Sequence, residues 1–526
     1  LTIRQLPLTT LMLVALALLT SAQVGLGHVR FDAEALVASM LLLTAAMAAQ
    51  LGMRMRSLGK QEILADAAAW GLIVALWANA VAVALGFAGF GVILGRLERV
   101  VASNQSVGLI GQANQLGVLA VLAMVSATYL RLRGLAARWF TVVTFVVATL
   151  VCAASGSRTA VLAFAAACVL YLFQARAAAR PGEMLRKPLL LAAAVATFTA
   201  IQLGAALWIL PLLQSDAINA LRSGDAGRAS LLWDGWRLWL AHPAFGVGYG
   251  NFAAARLFEL SGPLRAAHAD NAHNLLFQVL AEWGLVGALI VIPAFASLLW
   301  CVLSRRREPL VGLAQRFFGT FVVVLLLYSM FEFPLWMANF LLPFAVLAGA
   351  LVQPSWRVPG RLTTRFRWMP WLGPVAVMAS CGYAAWDYQR SQEMAQRMGL
   401  KIGAGQYTVS NVAFPEATRV AIGTLFPVHA EIMQARTLPL DGDFADYRLE
   451  LARRALIAVP SGETVARYVA HSALALQFDK GLALMSSLRV RDVLVYNKAI
   501  EFLEIFSGAD PRIGEIYRRA IADKPR

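Results

Sequence analysis

Charge is what this sequence has least of. Only 14% of its 526 residues are Asp, Glu, Lys or Arg, against 59% hydrophobic, and a soluble body of that size needs far more polar surface. Cysteine is scarce too: Cys152, Cys168, Cys301 and Cys381 all lie in or beside apolar runs. They read as small packed groups and imply neither a disulfide nor a metal framework. Acids are outnumbered, 30 against 46 Lys and Arg, giving a net charge of +16. That excess does not call for nucleic acid, because the basic residues fall between apolar runs, where they report topology. No dense Asp/Glu cluster appears beside the runs, which argues against a divalent-metal centre; no metal or cofactor is expected.

Long apolar sequence is what the chain has in quantity. Runs cover 6–23, 33–52, 62–86, 113–131, 139–155, 157–175, 188–211, 274–304, 316–331, 333–352 and 369–388, about eleven candidate membrane spans. The first follows Arg4 and loosely resembles a signal peptide, but no convincing cleavage site follows it, so it reads as a retained span. Every second connection is basic: Arg54, Arg56 and Lys60; Arg131, Arg133 and Arg138; Arg176, Arg180, Arg186 and Lys187; Arg305 to Arg307 and Arg316; Arg357, Arg361, Arg365 and Arg367. Those connections should be cytoplasmic, with the N-terminus inside and everything after residue 388 outside. The fold class expected is an all-α polytopic membrane protein. It has a transmembrane domain over 1–388, a long exterior loop at about 211–274 and a small helical exterior domain over 389–526.

The tail has ordinary polarity. Phe444 to Val459 and Thr464 to Phe478 repeat apolar residues at helix spacing, with Pro460 between them, and Asp510-Pro511 reads as an N-cap followed by Pro at the first helical position. Such helix pairs resemble tetratricopeptide-like stacking without its repeat signature. In the exterior loop, Trp233, Trp236 and Trp239 share a helix. Both a surface-lying amphipathic helix and an aromatic belt packed on neighbouring spans fit them. The glycines of Gly246-Val247-Gly248-Tyr249-Gly250 follow no strand, so they read as a tight turn after a helix, not as a phosphate loop.

Candidate chemistry gathers at one face. All six histidines (His28, His242, His268, His273, His429 and His471) fall outside in this topology. The cluster His268-Ala269-Asp270-Asn271-Ala272-His273 sits where the chain enters the membrane, suited to moving a proton near neutral pH. Its bland alternative is a solvated loop with a capping Asn. Arg158, in a short turn between apolar spans, and Arg228, ahead of the aromatic helix, either snorkel or meet an anion. Glu332 is either a helix-terminal cap or a functional carboxylate. Gln112, Asn114 and Gln115 bind sugar hydroxyls or satisfy backbone at a helix end.

In chain order, Gly111-Gln112-Ala113-Asn114-Gln115, Ser157-Arg158-Thr159, His242-Pro243 with Gly246-Val247-Gly248, Ala272-His273-Asn274 and Glu332-Phe333-Pro334-Leu335-Trp336 resemble the O-antigen ligase and polymerase superfamily. The likeness covers roughly residues 100 to 350. With the exterior tail, it is specifically similar to the PglL-type protein O-oligosaccharyltransferases. One departure is Tyr328, where the family pattern carries His.

The resemblance implies metal-independent transfer of a glycan from undecaprenyl pyrophosphate to a Ser or Thr hydroxyl of a pilin or other exported protein. The setting would be the periplasmic face of a bacterial inner membrane. His273 would handle the acceptor proton, while Arg158 and Arg228 would hold the pyrophosphate. Asp270, His268, Glu332, Gln112, Asn114 and Gln115 would orient His273 or bind sugar. A ligase to lipid A core or a glycan polymerase is the nearest alternative. A lipid-linked glycan transporter is the alternative from another class, but it should show internal repeats and mid-membrane polar groups.

Overall fold

The computed structural model describes residues 5–87, 108–176, 186–204, 217–261, 264, 269–304, 312–352, 356–357, 379–380, 382–390, 418–419 and 424–522. The chain runs through α1 (Leu8–Gly25), α2 (Asp32–Ser57), α3 (Gln61–Phe87), α4 (Ala113–Leu132), α5 (Arg138–Ser155), α6 (Arg158–Arg176) and α7 (Arg186–Gly204). It continues with α8 (Ala217–Ala241), α9 (Phe252–Phe258), α10 (Leu275–Ser304), α11 (Leu313–Tyr328), a 3-10 turn at Pro334–Trp336 and α12 (Ala338–Leu351). The tail contributes α13 (Pro427–Thr437), α14 (Ala445–Ala458), α15 (Gly462–Leu474), α16 (Phe478–Arg491), α17 (Val493–Phe506) and α18 (Pro511–Ala522). Two two-residue strands, Gln5–Leu6 and Trp356–Arg357, pair antiparallel.

The frame is helical and membrane-like. Helices α1 to α5 and α10 are long and apolar enough to cross a bilayer, and α6, α7, α11 and α12 are shorter apolar helices. The expected run 369–388 lies largely outside the described residues, and so does Cys381. Cys152 and Cys168 are buried and Cys301 is half-buried, all as free thiols.

Small residues set the closest helix packing. A Cβ built on Gly52 would lie 1.8 Å from the Val346 carbonyl oxygen, and one on Gly349 would lie 1.9 Å from that of Ala49. So α2 and α12 touch backbone to backbone, an approach that only glycine permits at these two positions. Arg56 closes one end of this seam by donating to the carbonyls of Ala350 and Leu351 at 3.3 and 2.5 Å.

Among the described residues, the basic connection after α4 lies at the same end. Arg133 pairs with Glu62 at 3.0 Å and Asp66 at 3.4 Å, and Tyr129 donates to Asp66 at 2.7 Å. The Gln5–Leu6 and Trp356–Arg357 strands lie on the connections at this end as well. At the opposite end lie the turns 26–31, 108–112, 155–158, 242–251, 270–274 and 329–337, and every described candidate residue is there.

The tail helices build their own core, including Val465, Ala470, Leu503, Phe506 and Ile516. Periodicity placed α14 and α15 within a few residues of where they stand. Ser461 caps α15 through a capping box with Thr464, and Asp510 receives the Arg512 N–H at 2.9 Å before Pro511 starts α18. Two leucines of the long loop, Leu257 and Leu264, are buried in this tail core. Arg491 reinforces the contact, donating to the Leu260 carbonyl and accepting from the Leu264 N–H.

Candidate functional site

Glu332 is the hub. It follows α11 in a turn whose N–H bonds back to the Tyr328 carbonyl, and its side chain is only 1% exposed. A buried carboxylate demands partners, and three arrive from distant elements. Asn114, at the start of α4, donates Nδ2 to Oε1 at 2.6 Å. Arg228, in α8, reaches the same oxygen at 2.7 Å while its own side chain stays 38% exposed. Nδ1 of His273 lies 3.2 Å from Oε2.

An ionised carboxylate can only accept, so Nδ1 of His273 is the donor and Nε2 is the nitrogen left to take a proton. The imidazole also meets the Phe333 ring edge-on at 5.5 Å. His273 adopts a left-handed backbone, φ 50°, uncommon for a residue other than glycine. Asparagines on both sides hold it there. Asn271 Oδ1 accepts from the His273 N–H at 2.9 Å. Asn274 Oδ1 caps α10 through the N–H groups of Leu276 and Phe277, and its Nδ2 donates to the Met330 carbonyl at 2.8 Å. The α10 N-terminus is thereby tied to the turn that carries Glu332.

Arg228 is positioned through the rest of α8. Asp234, further along that helix, makes a buried ion pair with Arg256 of α9 at 2.7 Å. Removing one partner of such a pair costs about 3–5 kcal/mol, because the other charge is left uncompensated. Trp236 stacks near Trp239 at 4.6 Å and meets Phe277 of α10 at 6.4 Å, while Trp233 is 60% exposed. The aromatic triplet is thus divided: Trp233 turns outward, Trp236 faces α10, and Trp239 donates to the Pro243 carbonyl at 3.2 Å.

Of the residues singled out from sequence, Asn114, Arg228, His273 and Glu332 converge. Gln112 and Gln115 flank Asn114, and their Oε1 and Nε2 atoms respectively are buried with no hydrogen-bond partner among the described residues. Arg158 takes the exposed first position of α6, between the inward-packed Ser157 and Thr159. A Cβ on Gly117 would lie 2.8 Å from that of Ser157, so the residue preceding Arg158 packs on α4 about one turn from Asn114. Asp270 is exposed and accepts from Asn271 at 2.6 Å. His268 lies outside the described residues. His242 pairs instead with Glu259 at 2.7 Å on the surface.

The glycine-rich stretch serves the backbone. Helix α10 breaks at Gly284, φ 63° and ψ −157°, and residues 243–248 fill the break. Val247 and Gly248 donate to the carbonyls of Ala281 and Glu282 at 2.8 and 3.1 Å, while Leu285 and Val286 donate to Pro243 and Ala244 at 2.8 and 3.2 Å. Backbone freed inside a membrane helix must be paired by protein in this way.

Glu282, 1% exposed beside the break, and Gln23 escaped the sequence reading. Each was legible only as a lone polar residue in an apolar run.

Residues 143–292 match the O-antigen ligase family, and residues 318–491 match the family described as virulence factor membrane-bound polymerase, C-terminal. No curated protein matches the chain. The first segment carries Arg158, Arg228 and His273, and the second carries Glu332. The two matches, in chain order on one helical membrane frame, support placing the chain in the O-antigen ligase and polymerase superfamily.

Proposed function

We propose that the chain transfers a glycan from a polyprenyl pyrophosphate carrier to an acceptor hydroxyl, at the membrane face opposite its basic loops. The observation that carries this reading is the convergence of Asn114, Arg228 and His273 on the buried carboxylate of Glu332. Glu332 orients His273 so that Nε2 takes the acceptor proton as the hydroxyl oxygen attacks the anomeric carbon. The bond to the pyrophosphate oxygen breaks, and the departing charge is met by guanidinium groups, whose forked donors suit phosphate. Arg228, more than a third exposed and next to His273, supplies one of these, and Arg158 the other. The unpartnered amide atoms of Gln112 and Gln115 are suited to sugar hydroxyls. The chemistry needs no metal, since proton transfer and charge stabilisation both come from side chains.

The acceptor we favour is an exported protein such as a pilin, on the strength of the helical tail folded over the loop that leads to His273. Co-expression with an undecaprenyl-linked glycan pathway and a candidate pilin, read by intact mass of the pilin, tests the whole proposal. A glycan-sized mass increase that disappears in His273→Ala supports it. Glycan found on lipid A core, with the pilin unmodified, moves the chain to the sister ligases. No transfer to either acceptor overturns the reading.

A further inference from the structure

Helix α1 lies outside both matched segments, yet one polar side chain of it reaches the break in α10. Gln23 is 1% exposed. Its Nε2 donates to the carbonyls of Phe245 at 2.8 Å and Glu282 at 2.9 Å, and its Oε1 accepts from the Tyr249 N–H at 3.2 Å. Both donors and the acceptor of this amide are therefore committed to backbone. One carbonyl belongs to the filling segment, the other to the last turn before the break.

The rest of this junction has no slack. A Cβ on Gly246 would lie 2.5 Å from the Ala281 oxygen, and one on Gly284 would lie 2.4 Å from that of Ala244. Gly248 donates to the same Glu282 carbonyl that Gln23 bonds. Beyond the break, the half-helix 275–283 runs back to His273, while Glu332 belongs to a separate turn. The alignment of imidazole and carboxylate thus depends on how the half-helix is set, and it is set at its far end by the junction that Gln23 braces.

We infer that Gln23 is a positioning residue: its amide fixes the half-helix that presents His273 to Glu332. The catalytic half of this inference rests on the transfer reading above; the bracing half does not. A displacement of the order of 1 Å at a reacting group costs roughly a hundredfold in rate, so a partial loosening should be visible.

The test uses the full chain in detergent with an undecaprenyl pyrophosphate glycan as donor. Gln23→Leu keeps bulk and removes every hydrogen bond; Gln23→Glu keeps the acceptor and removes the donors. Both should lower kcat by about tenfold or more while moving the donor KM by less than about twofold, the pattern of lost transition-state geometry. Amide hydrogen exchange over 245–249 and 281–286 should quicken in both. Ser39→Ala is the control. Ser39 Oγ donates to the Ala17 carbonyl at 3.2 Å, so its loss loosens α1 against α2, away from α10, and should lower thermal stability with kcat retained.

Unchanged exchange in Gln23→Leu would overturn the brace, with or without transfer activity. Quickened exchange with unchanged kcat would overturn the positioning role and leave the transfer reading standing. A raised donor KM with kcat intact would make Gln23 a binding residue instead. Absence of transfer in the unaltered chain would overturn the transfer reading and, with it, the catalytic half of this one.

Discussion

Nδ1 of His273 lies 3.2 Å from Oε2 of Glu332, across 59 positions of sequence. The acid three residues from the histidine, Asp270, is turned toward Asn271 instead. A helix N-terminus and a turn are brought together by Asn274, and the carboxylate that matters to the imidazole comes from the turn.

Glu332→Gln should lower transfer by roughly a hundredfold, because a neutral amide neither fixes the Nδ1–H tautomer nor balances Arg228. The folded yield should hold, since the amide is isosteric and still bonds Asn114. Transfer measured per folded molecule checks this; full activity would remove Glu332 from the mechanism.

His273→Ala and Arg228→Lys should fail differently. The histidine change should cut kcat by at least about a hundredfold and spare donor binding. The arginine change should weaken use of the lipid-linked donor, since a point charge does not reproduce the forked contact with phosphate oxygens. Steady-state kinetics with varied donor separates them, and identical profiles would contradict the assignment.

Orientation is open to a direct measurement. A reporter active only outside the cytoplasm should work when fused after residue 395 and fail when fused near 360. The opposite pattern would place the Glu332 cluster on the cytoplasmic face.

The α2–α12 seam should be intolerant of a single methyl. Gly349→Ala drives a carbon into the Ala49 carbonyl and should cost about 1–3 kcal/mol or separate the helices. Gly71→Ala, where nothing lies within 4 Å, should be neutral or stabilising by up to about 1 kcal/mol. Thermal unfolding in detergent compares the two; equal losses would mean that the close approach is not present.

Acid should loosen the tail. His471 in α15 is fully buried, neither ring nitrogen has a hydrogen-bond partner among the described residues, and burial first, then Arg467 and Arg448, lowers its pKa from 6.5 to about 3. Between those values the unfolded chain binds a proton that the folded one refuses. Stability is therefore unaffected above about pH 6.5, falls by roughly 1.4 kcal/mol per unit below it and levels off near pH 3. The protection of α15 amides, taken relative to the intrinsic exchange rate at each pH, should fall between pH 7 and 5, and His471→Met should abolish most of that dependence.

The helical frame was legible because membrane spans and basic connections are one-dimensional signals: α1 to α7 and α10 to α12 fall on the apolar runs expected. The residues that converge on Glu332 were legible too, as polar groups stranded at one end of those runs. Their pairing was not. Glu332 and Asp270 look equally able to serve His273 in sequence, and only the tie from Asn274 to Met330 decides between them. The break in α10 was hidden for a similar reason. Gly284 is one glycine in a long apolar helix, and what makes it a break is backbone supplied from residues 243–248.

Leu257 and Leu264 belong to the long loop by sequence and to the tail by burial. Polarity divides the chain near residue 389, yet that line marks a change of surroundings and not a joint that can be opened. A chain cut there would keep all its described apolar helices and lose the floor on which the segment leading to His273 rests. The tail is then less an appendage than the missing wall of the room in which transfer is proposed to occur.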